Sequence, residues 1–280
     1  VYLKNLSIEQ ASKIIEANIA VFGQVKNSLS EIIKSLELKK ELLDKNKISQ
    51  WKKQISEWQS QHGLNHKMYL CETDDNPIMP QAVVQHVYNI TKGKAFVTSD
   101  VGQHQMFAAQ YYHFDEPRKW INSGGLGTMG FGLPAAMGVK LAFPSDEVVC
   151  ITGEGSIQMC IQELSTCTQY NLPIKIININ NEALGMVKQW QDMNYGGRHS
   201  ASTYQSSLPN FVELVESYGH VGIKIEKNSD LKSGLEKAFM QKDKLVFVDV
   251  YVDPNEHVYP MLVAPNGSLR DMWLDKDTKT

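Results

Sequence analysis

The stretch VVCITGEGSIQ (148–158) decides the fold, because a glycine turn joins a buried strand to a helix there. Residues 148–151 are an apolar run of the length typical of a strand buried on both faces, and apolar spacing predicts a helix over 156–170. A strand, a tight glycine turn and a helix N-terminus favour phosphate binding, because backbone N–H groups and the helix dipole point at the anion. Residues 153–155 (Gly-Glu-Gly) are therefore a candidate phosphate-binding turn.

The acid in this turn, Glu154, would repel a bare phosphate unless a divalent cation lies between them. Mg²⁺ prefers oxygen ligands and shares phosphate oxygens readily. A second source of oxygen follows the next predicted strand, 174–179, where Asn180 and Asn181 stand side by side in the sequence. The carboxyl ends of adjacent parallel strands meet at one edge of a sheet, which is where open α/β sheets bind ligands. We therefore expect Glu154 and Asn181 to lie together at that edge.

A regular alternation of helices and strands extends from residue 80 to residue 252. Helices are predicted over 80–90, 103–111, 130–141, 184–193, 211–218 and 231–239, and strands over 95–98, 174–179, 221–225 and 245–252. Residues 120–123 make a poor strand. The alternation is typical of parallel strands covered by helices on both faces. The predicted fold class is α/β, a doubly wound parallel sheet preceded by the tail of a second α/β domain.

Changes in composition divide the chain into three predicted segments. Residues 1–40 alternate short strands and helices and are predicted to be the tail of a preceding domain. Residues 41–74 are predicted to be a linker with an exposed amphipathic helix, and residues 75–280 a phosphate- and metal-binding domain with a C-terminal extension. Because the chain begins at Val1 inside apparent structure, we expect it to be the C-terminal part of a longer protein.

Composition argues against several broad classes of protein. With 28 Lys and Arg against 31 Asp and Glu, the formal net charge is −3, so no basic excess is available to bind nucleic acid or an anionic membrane. No segment approaches the ~20 apolar residues that span a bilayer. The four cysteines form no C-x-x-C pair, which favours free buried thiols in a reducing cytoplasm. They are Cys71, Cys150, Cys160 and Cys167.

Residues 125–130 (Gly-Leu-Gly-Thr-Met-Gly) match the pattern G-x-G-x-x-G, but a dinucleotide site is not favoured. Such a site needs a preceding strand and an acid about twenty residues further on. The residues before the glycines make a poor strand, and Glu147 precedes the next strand instead of ending it. The glycines are instead predicted to let the backbone approach a ligand or partner closely.

Gly-Glu-Gly followed by Asn-Asn resembles the thiamine diphosphate motif, in which G-D-G precedes N-N by a similar interval. Four blocks narrow the resemblance to the catalytic large subunit of acetolactate synthase, also called acetohydroxyacid synthase. They are SDVGQHQMFAAQYY (99–112), INSGGLGTMGFGLPAAMGVK (121–140), GEGSIQMCIQELST (153–166) and NNEALGMVKQWQDM (180–193). The similarity runs from about residue 80 to residue 273, with a weaker likeness over 1–40 to the end of that family's central domain.

The resemblance implies a thiamine diphosphate site and a Mg²⁺ site. The implied cofactor-binding residues are Gly102, Gln103, His104, Gly127, Met129, Gly155, Ser156 and Met186. The implied Mg²⁺ ligands are Glu154, Asn181 and the backbone carbonyl of Ala183.

Individual roles follow from the same resemblance. Gln103 and His104 are similar to diphosphate-contacting residues, and Met129 to a residue that supports the aminopyrimidine. Met186 matches the apolar residue that props the cofactor in its bent conformation. Trp190, four residues along the same helical face, matches the tryptophan that lines the substrate channel and helps to select the second 2-oxo acid.

Two departures from the family matter. Glu154 stands where the motif has Asp, and the extra methylene moves the carboxylate outward by about 1.5 Å. Our hypothesis is that this change weakens Mg²⁺ binding, shifts the ion or is absorbed by the backbone. The family's general acid–base glutamate belongs to an N-terminal pyrimidine-binding domain that this sequence lacks. We therefore predict no catalytic residue in this chain and expect the chain alone to be catalytically incomplete, with FAD only in the full-length enzyme.

The implied reaction is decarboxylation of pyruvate and carboligation to a second 2-oxo acid, pyruvate or 2-oxobutyrate, in branched-chain amino acid biosynthesis. The implied partners are a homo-oligomer (dimer or tetramer) or a separate pyrimidine-binding chain, and a regulatory small subunit. Three alternatives stay open: another thiamine diphosphate enzyme of the pyruvate oxidase or decarboxylase type, a split enzyme, and an inactive remnant. The block over 185–190 argues against the first of these.

Overall fold

The computed structural model describes residues 19, 21, 23–62, 69, 73–204, 206–262 and 272–275. The chain divides into two compact units, Val1–Gly63 and Leu64–Thr280. The first unit contains helices α1 (Val25–Leu38) and α2 (Lys45–His62), with a 3-10 turn at Lys40–Leu42. The strand predicted at the start of the chain and the helix predicted after it lie outside the described residues. The three predicted segments stay a prediction.

Helix α2 lies within residues 41–74, where the sequence predicts an exposed amphipathic helix. Trp51 and Trp58 project from the same side of this helix, because their rings meet edge to face with centroids 5.5 Å apart. Both side chains are exposed.

The second unit contains eight helices and eight strands among the described residues, and they alternate along most of its length. Its helices are α3 (Pro80–Thr91), α4 (Gln103–Tyr111), α5 (Gly132–Ala142), α6 (Glu154–Ile157), α7 (Glu163–Gln169), α8 (Gly185–Tyr195), α9 (Phe211–Ser217) and α10 (Asn228–Met240). Its strands are β1 (Phe96–Ser99), β2 (Trp120–Asn122), β3 (Val148–Thr152), β4 (Lys175–Asn180), β5 (Val221–Ile225), β6 (Val246–Tyr251), β7 (Met261–Leu262) and β8 (Met272–Trp273).

Six of these strands form one sheet in the order β2-β1-β3-β4-β6-β5, and every pairing in it is parallel. This arrangement confirms the predicted α/β fold. The chain leaves β1 for β2 on one side and then crosses to β3 on the other side of β1. The carboxyl ends of β1 and β3 therefore flank a switch point, where open α/β sheets form their ligand-binding crevice. Strands β7 and β8 form a separate antiparallel pair.

The sheet separates two apolar cores, because successive side chains of a strand point to opposite faces. In β4, Ile177 belongs to the core that also contains residues of α3, α4 and α10. Its neighbour Ile176 belongs to the core that contains residues of α5, α7 and α9. Burial on both faces explains why the strands read as continuous apolar runs in the sequence.

The single helix predicted over 156–170 is wrong. The structure has α6 and α7 there, joined by tight turns. In the turns, backbone N–H groups donate to carbonyls three residues earlier, as from Met159 to Ser156 and from Cys160 to Ile157. This bonding is too tight for a continuous α-helix, whose bonds span four residues. The turns leave α6 as a short helical start directly at the carboxyl end of β3.

Residues 120–122 do form a strand, contrary to the prediction for this segment. β2 is a three-residue edge strand that pairs with β1 through Trp120 and Val97. Pairing with the neighbouring strand β1 stabilises an extended conformation that the sequence of residues 120–122 does not favour by itself.

Two further expectations concern the membrane and the cysteines. None of the helices in the described part of the chain is long and apolar enough to span a bilayer. Cys150, Cys160 and Cys167 are buried free thiols, as expected. Cys71 lies outside the described residues.

Candidate cofactor and metal site

A cavity of about 100 Å³ lies at the carboxyl ends of β1, β3 and β4. It brings together most of the residues predicted for the site, namely Gly102, Gln103, His104, Met129, Glu154, Gly155, Ser156, Asn181, Ala183 and Met186. Gly127 and Trp190 are not part of its lining. Residues that the sequence did not single out also line it, among them Val101, Leu184 and Gly185.

Three oxygen atoms converge at one end of the cavity. The side-chain oxygen of Asn181 lies 3.1 Å from Glu154 Oε1 and 2.9 Å from the backbone oxygen of Ala183. The Ala183 N–H donates to Glu154 Oε1 at 2.7 Å. The chain turns back after β4 because Glu182 adopts the left-handed conformation, with φ at 55°. This turn brings the N–H group of Ala183 to Glu154 Oε1.

The separations between these oxygens fit a small divalent cation. Two adjacent oxygen ligands of an octahedral Mg²⁺, each about 2.1 Å from the ion, lie about 3.0 Å apart. The observed 2.9 and 3.1 Å are close to that value. No cluster of three or more His, Cys, Asp or Glu side chains suited to a metal occurs among the described residues. A cation here would therefore depend on one carboxyl group, that of Glu154, together with Asn181, the Ala183 carbonyl and oxygens of a bound ligand.

The electrostatics of Glu154 agree with this interpretation. Its side chain is 1% exposed. Burial raises the pKa of the Glu154 carboxyl group to about 8, against the lowering effect of the N–H groups around it. A buried carboxylate is costly unless positive charge accompanies it. A divalent cation would supply that charge, so the residues present fit a metal ion.

His104 also lines the cavity. It is buried, and its Nε2 has no hydrogen-bond partner among the described residues. Burial lowers the pKa of His104 to about 3, so the ring is neutral at neutral pH. The Asp100 backbone carbonyl is a hydrogen-bond partner of the ring, so the single proton of the neutral ring lies on Nδ1 and Nε2 is an acceptor. Nε2 can donate to an oxygen of a diphosphate only from the protonated ring, which the negative charge of the anion favours.

Two glycines give the His104 ring its space. A Cβ atom on Gly102 would lie 2.6 Å from His104 Cε1, and one on Gly153 would lie 2.7 Å from His104 Nδ1. Any larger residue at either position would displace the ring. Gly153, the first glycine of the Gly-Glu-Gly turn, therefore leaves space for the His104 ring. The sequence analysis did not reveal this role of the glycine.

The second glycine of that turn is crowded from the opposite side. A Cβ atom on Gly155 would lie 2.5 Å from Tyr204 Oη and 2.8 Å from Leu184 Cδ2. Ser156, the next residue, donates its hydroxyl to the Val101 carbonyl at 3.0 Å. Gly155 and Ser156 line the cavity at the start of α6, where the first N–H groups have no partner within the helix. The Glu154 N–H bonds its own carboxyl group, which leaves those of Gly155 and Ser156 for an anion.

Asp100 is a site residue that the sequence analysis missed. It is fully buried at the end of β1 and accepts hydrogen bonds from the N–H groups of Gly130 (2.7 Å) and Val101 (3.1 Å). The Thr152 hydroxyl donates to its second oxygen at 3.3 Å. Asp100 thus ties the glycine segment that carries Met129 to the edge of the sheet. The signal that the sequence offered was an acidic residue directly after a predicted buried strand.

The glycines of the segment 125–130 have structural reasons for being glycine. Gly127 and Gly130 have φ values of 73° and 89°, which residues with a Cβ rarely adopt. Gly127 lies in a turn closed by its N–H and the Ser123 carbonyl, outside the cavity lining. Trp190 lies one turn beyond Met186 on α8, and its predicted role stays a prediction.

Comparisons with known proteins agree with this geometry. Residues 100–250 match the family model described as "Thiamine pyrophosphate enzyme, C-terminal TPP binding domain". The chain is 53% identical over 271 residues to the acetolactate synthase isozyme 3 large subunit of Escherichia coli K12, covering 96% of this chain and 46% of that protein. It is 54% identical over 265 residues to the acetolactate synthase large subunit of Haemophilus influenzae, covering 95% and 45%.

A more distant relative is the acetolactate synthase large subunit of Cyanidium caldarium, 39% identical over 262 residues, with 94% of this chain and 43% of that protein covered. The chain spans about half the length of the curated relatives it matches. These similarities confirm the resemblance to acetolactate synthase large subunits. The chain belongs to the thiamine pyrophosphate enzymes, and it contains their C-terminal cofactor-binding domain.

Proposed function

We propose that the protein carrying this chain is an acetolactate synthase large subunit. It decarboxylates pyruvate and joins the remaining two-carbon unit to pyruvate or 2-oxobutyrate, a step toward branched-chain amino acids. The observation that supports this proposal best is the shared cavity of Glu154, Asn181, Ala183 and His104. It contains converging oxygens and an imidazole nitrogen that has no partner among the described residues.

In this proposal the chain holds the diphosphate end of the cofactor. Glu154 Oε1, Asn181 Oδ1 and the Ala183 carbonyl would bind Mg²⁺, which neutralises the diphosphate. The first N–H groups of α6 would donate to phosphate oxygens, and so would His104 Nε2 once the diphosphate charge favours the protonated ring. Thiamine diphosphate, when bound, would supply an electron sink for the decarboxylation.

The remaining residues of the chain orient the reactants and exclude water. Met186 and Val187 line the cavity with apolar atoms at the start of α8. An apolar wall beside the reacting carbon limits side reactions with water. Trp190, further along the same helix, is proposed to favour one second substrate over the other. The general acid–base glutamate is proposed to come from a pyrimidine-binding domain outside this chain.

The proposal extends to the assembly. A site that needs a second domain for its acid–base group is completed by a homo-oligomer or by a separate chain. FAD in the full-length enzyme and a regulatory small subunit follow from the resemblance to the acetolactate synthase family alone.

The test is a thermal unfolding experiment on the chain with thiamine diphosphate, with Mg²⁺ and with both. A ligand at about one hundred times its Kd stabilises the folded state by about 2.7 kcal/mol. We expect a rise in Tm that requires both ligands. The full-length protein should then convert pyruvate to acetolactate, and a mixture with 2-oxobutyrate to acetohydroxybutyrate. Acetaldehyde or acetyl phosphate as the product would instead identify a decarboxylase or an oxidase.

A further inference from the structure

We propose that Gln189 is a positioning residue that orients the Mg²⁺-binding oxygen of Asn181 through Gln103. The inference rests on the proposed function, because it concerns the same metal site. Gln189 is fully buried in α8 and does not line the cavity. It acts through a row of three hydrogen-bonded side-chain amides, those of Gln189, Gln103 and Asn181, which would end at the cation. Each hydrogen bond in the row fixes the orientation of the next amide.

The row begins at a backbone group that has only one possible orientation. The Val258 N–H donates to Gln189 Oε1 at 3.0 Å, and Gln189 Nε2 donates to the Val258 carbonyl at 2.9 Å. A backbone N–H cannot accept a hydrogen bond and a carbonyl cannot donate one. The Gln189 amide is therefore held in one of its two orientations.

Gln189 in turn orients Gln103. Gln103 Nε2 donates to Gln189 Oε1 at 2.8 Å, so the Gln103 oxygen faces away from Gln189. That oxygen accepts a hydrogen bond from Asn181 Nδ2 at 2.9 Å. With its nitrogen engaged by Gln103, Asn181 presents its oxygen to Glu154 and to the Ala183 carbonyl.

The reversed Asn181 amide shows what the row prevents. Reversed, the nitrogen would donate to the Ala183 carbonyl at 2.9 Å and to Glu154 Oε1 at 3.1 Å. Its oxygen would then lie 2.9 Å from the Gln103 oxygen, and two acceptors would face each other. Gln103 cannot reverse to relieve this contact, because its own oxygen would then face Gln189 Oε1. The row thus holds three oxygens together, an arrangement that a cation satisfies.

Gly185 provides the space in which the row passes the start of α8. A Cβ atom on Gly185 would overlap Gln103 Oε1 and would lie 2.6 Å from Asn181 Nδ2. The contact between Gln103 and Asn181 therefore requires glycine at this position.

The test is direct binding of Mn²⁺, a paramagnetic substitute for Mg²⁺, to the full chain in the presence of thiamine diphosphate. Free Mn²⁺ is measured by electron paramagnetic resonance, which does not depend on activity. Gln189→Met keeps the length of the side chain and removes both polar atoms. We expect it to weaken Mn²⁺ binding about tenfold or more, as for other residues that orient metal ligands.

Two further variants make the comparison specific. Gln189→Glu, protonated in this buried position, can still donate to the Val258 carbonyl and accept from Gln103, so we expect it to stay within about threefold of wild type. Gln191→Met is the matched control. Gln191 lies on the same helix, and the described hydrogen bonds of its side chain go to Ser200 and Ser202, away from Gln103 and Asn181, so its substitution should leave Mn²⁺ affinity unchanged.

The outcomes separate this inference from the proposed function. If the wild-type chain binds no Mn²⁺ with thiamine diphosphate, the proposed function fails. If wild type binds but Gln189→Met binds equally well, or Gln189→Glu loses as much as Gln189→Met, the role of Gln189 is overturned. Should circular dichroism show that Gln189→Met is unfolded, the side-chain ¹⁵N signal of Gln189 in wild type decides. It should shift when Mg²⁺ saturates the cofactor-loaded chain, and an unchanged signal overturns the inference.

Discussion

The side-chain oxygen of Asn181 lies 3.1 Å from Oε1 of Glu154, so that two acceptor atoms face each other across the edge of the sheet. The two residues follow β4 and β3, which pair in parallel register from Val149 and Lys175 onward. Their approach is thus a consequence of strand order. Without a cation Glu154 is mostly protonated at pH 7, because burial raises its pKa to about 8, so metal binding at this pair displaces a proton.

Substitutions of Glu154 test whether its charge and its length matter. Glu154→Gln removes the negative charge and should weaken Mg²⁺ binding in the presence of thiamine diphosphate by more than about tenfold. Glu154→Asp keeps the charge and has the side chain found in the related motif, so it should stay within about threefold of wild type. Isothermal titration measures both. A tenfold gain in Glu154→Asp would show that Glu154 is badly placed, the hypothesis raised by the sequence.

Gly185→Ala should disrupt the site from the side of α8. The added Cβ would overlap Gln103 Oε1, so the contact between Gln103 and Asn181 must open. We expect a loss of about 1–3 kcal/mol in the free energy of unfolding. Thiamine diphosphate and Mg²⁺ together should stabilise this variant less than wild type in a thermal scan.

The matched control is Gly138→Ala on α5. A Cβ atom at Gly138 would meet no atom within 4 Å, and this residue lies inside a helix. It should therefore raise the free energy of unfolding by about 0.5–1 kcal/mol and leave ligand binding unchanged. Equal effects from the two substitutions would contradict the role assigned to Gly185.

Asp100 should tolerate an amide but not an apolar side chain. In Asp100→Asn the remaining oxygen can accept from the Gly130 and Val101 N–H groups, and the Thr152 hydroxyl can reverse and accept from the new amide. Burial raises the pKa of the Asp100 carboxyl group, so loss of its charge costs little. We expect a change below about 1 kcal/mol in urea unfolding.

Asp100→Leu leaves the Gly130 N–H without its acceptor. A buried N–H group without a partner costs about 1–3 kcal/mol, and the segment that carries Met129 should loosen. Hydrogen exchange at Gly130 should speed up in this variant relative to Asp100→Asn. Unchanged exchange would show that other contacts hold the segment in place.

His104 should make the fold sensitive to acid. Its pKa is about 3 in the fold, against about 6.5 in an unfolded chain. Between these values the unfolded state binds a proton that the folded state does not. The stabilisation from the neutral ring is therefore complete above pH 6.5 and is lost as the pH falls toward 3.

His104→Gln removes this dependence. At pH 5 the wild type should lose about 2 kcal/mol from this group relative to pH 7, equivalent to about 4–8 °C in Tm. Tm measured from pH 7 to pH 4.5 should therefore fall less steeply in His104→Gln than in wild type. Parallel curves would contradict the assignment of His104 as a buried neutral side chain.

More of the fold than of the site could be predicted from the sequence. The alternation of strands and helices and the apolar runs of β3 and β4 were readable, because burial on both faces leaves a local signature. β2 was missed because three residues carry too little pattern, and its pairing with Val97 is a tertiary contact. The break between α6 and α7 was missed because apolar spacing continues through it.

The sequence by itself determined the parallel sheet and the juxtaposition of Glu154 with Asn181, because adjacent parallel strands must end at one edge. The tertiary structure alone decided the contacts that orient these residues. Gly130 lies 30 residues from Asp100, Gln103 lies 86 from Gln189, and Val258 lies 69 from Gln189. No periodicity links such partners, because a hydrogen bond between distant segments depends on how the packed helices bring them together and leaves no regular spacing in the chain.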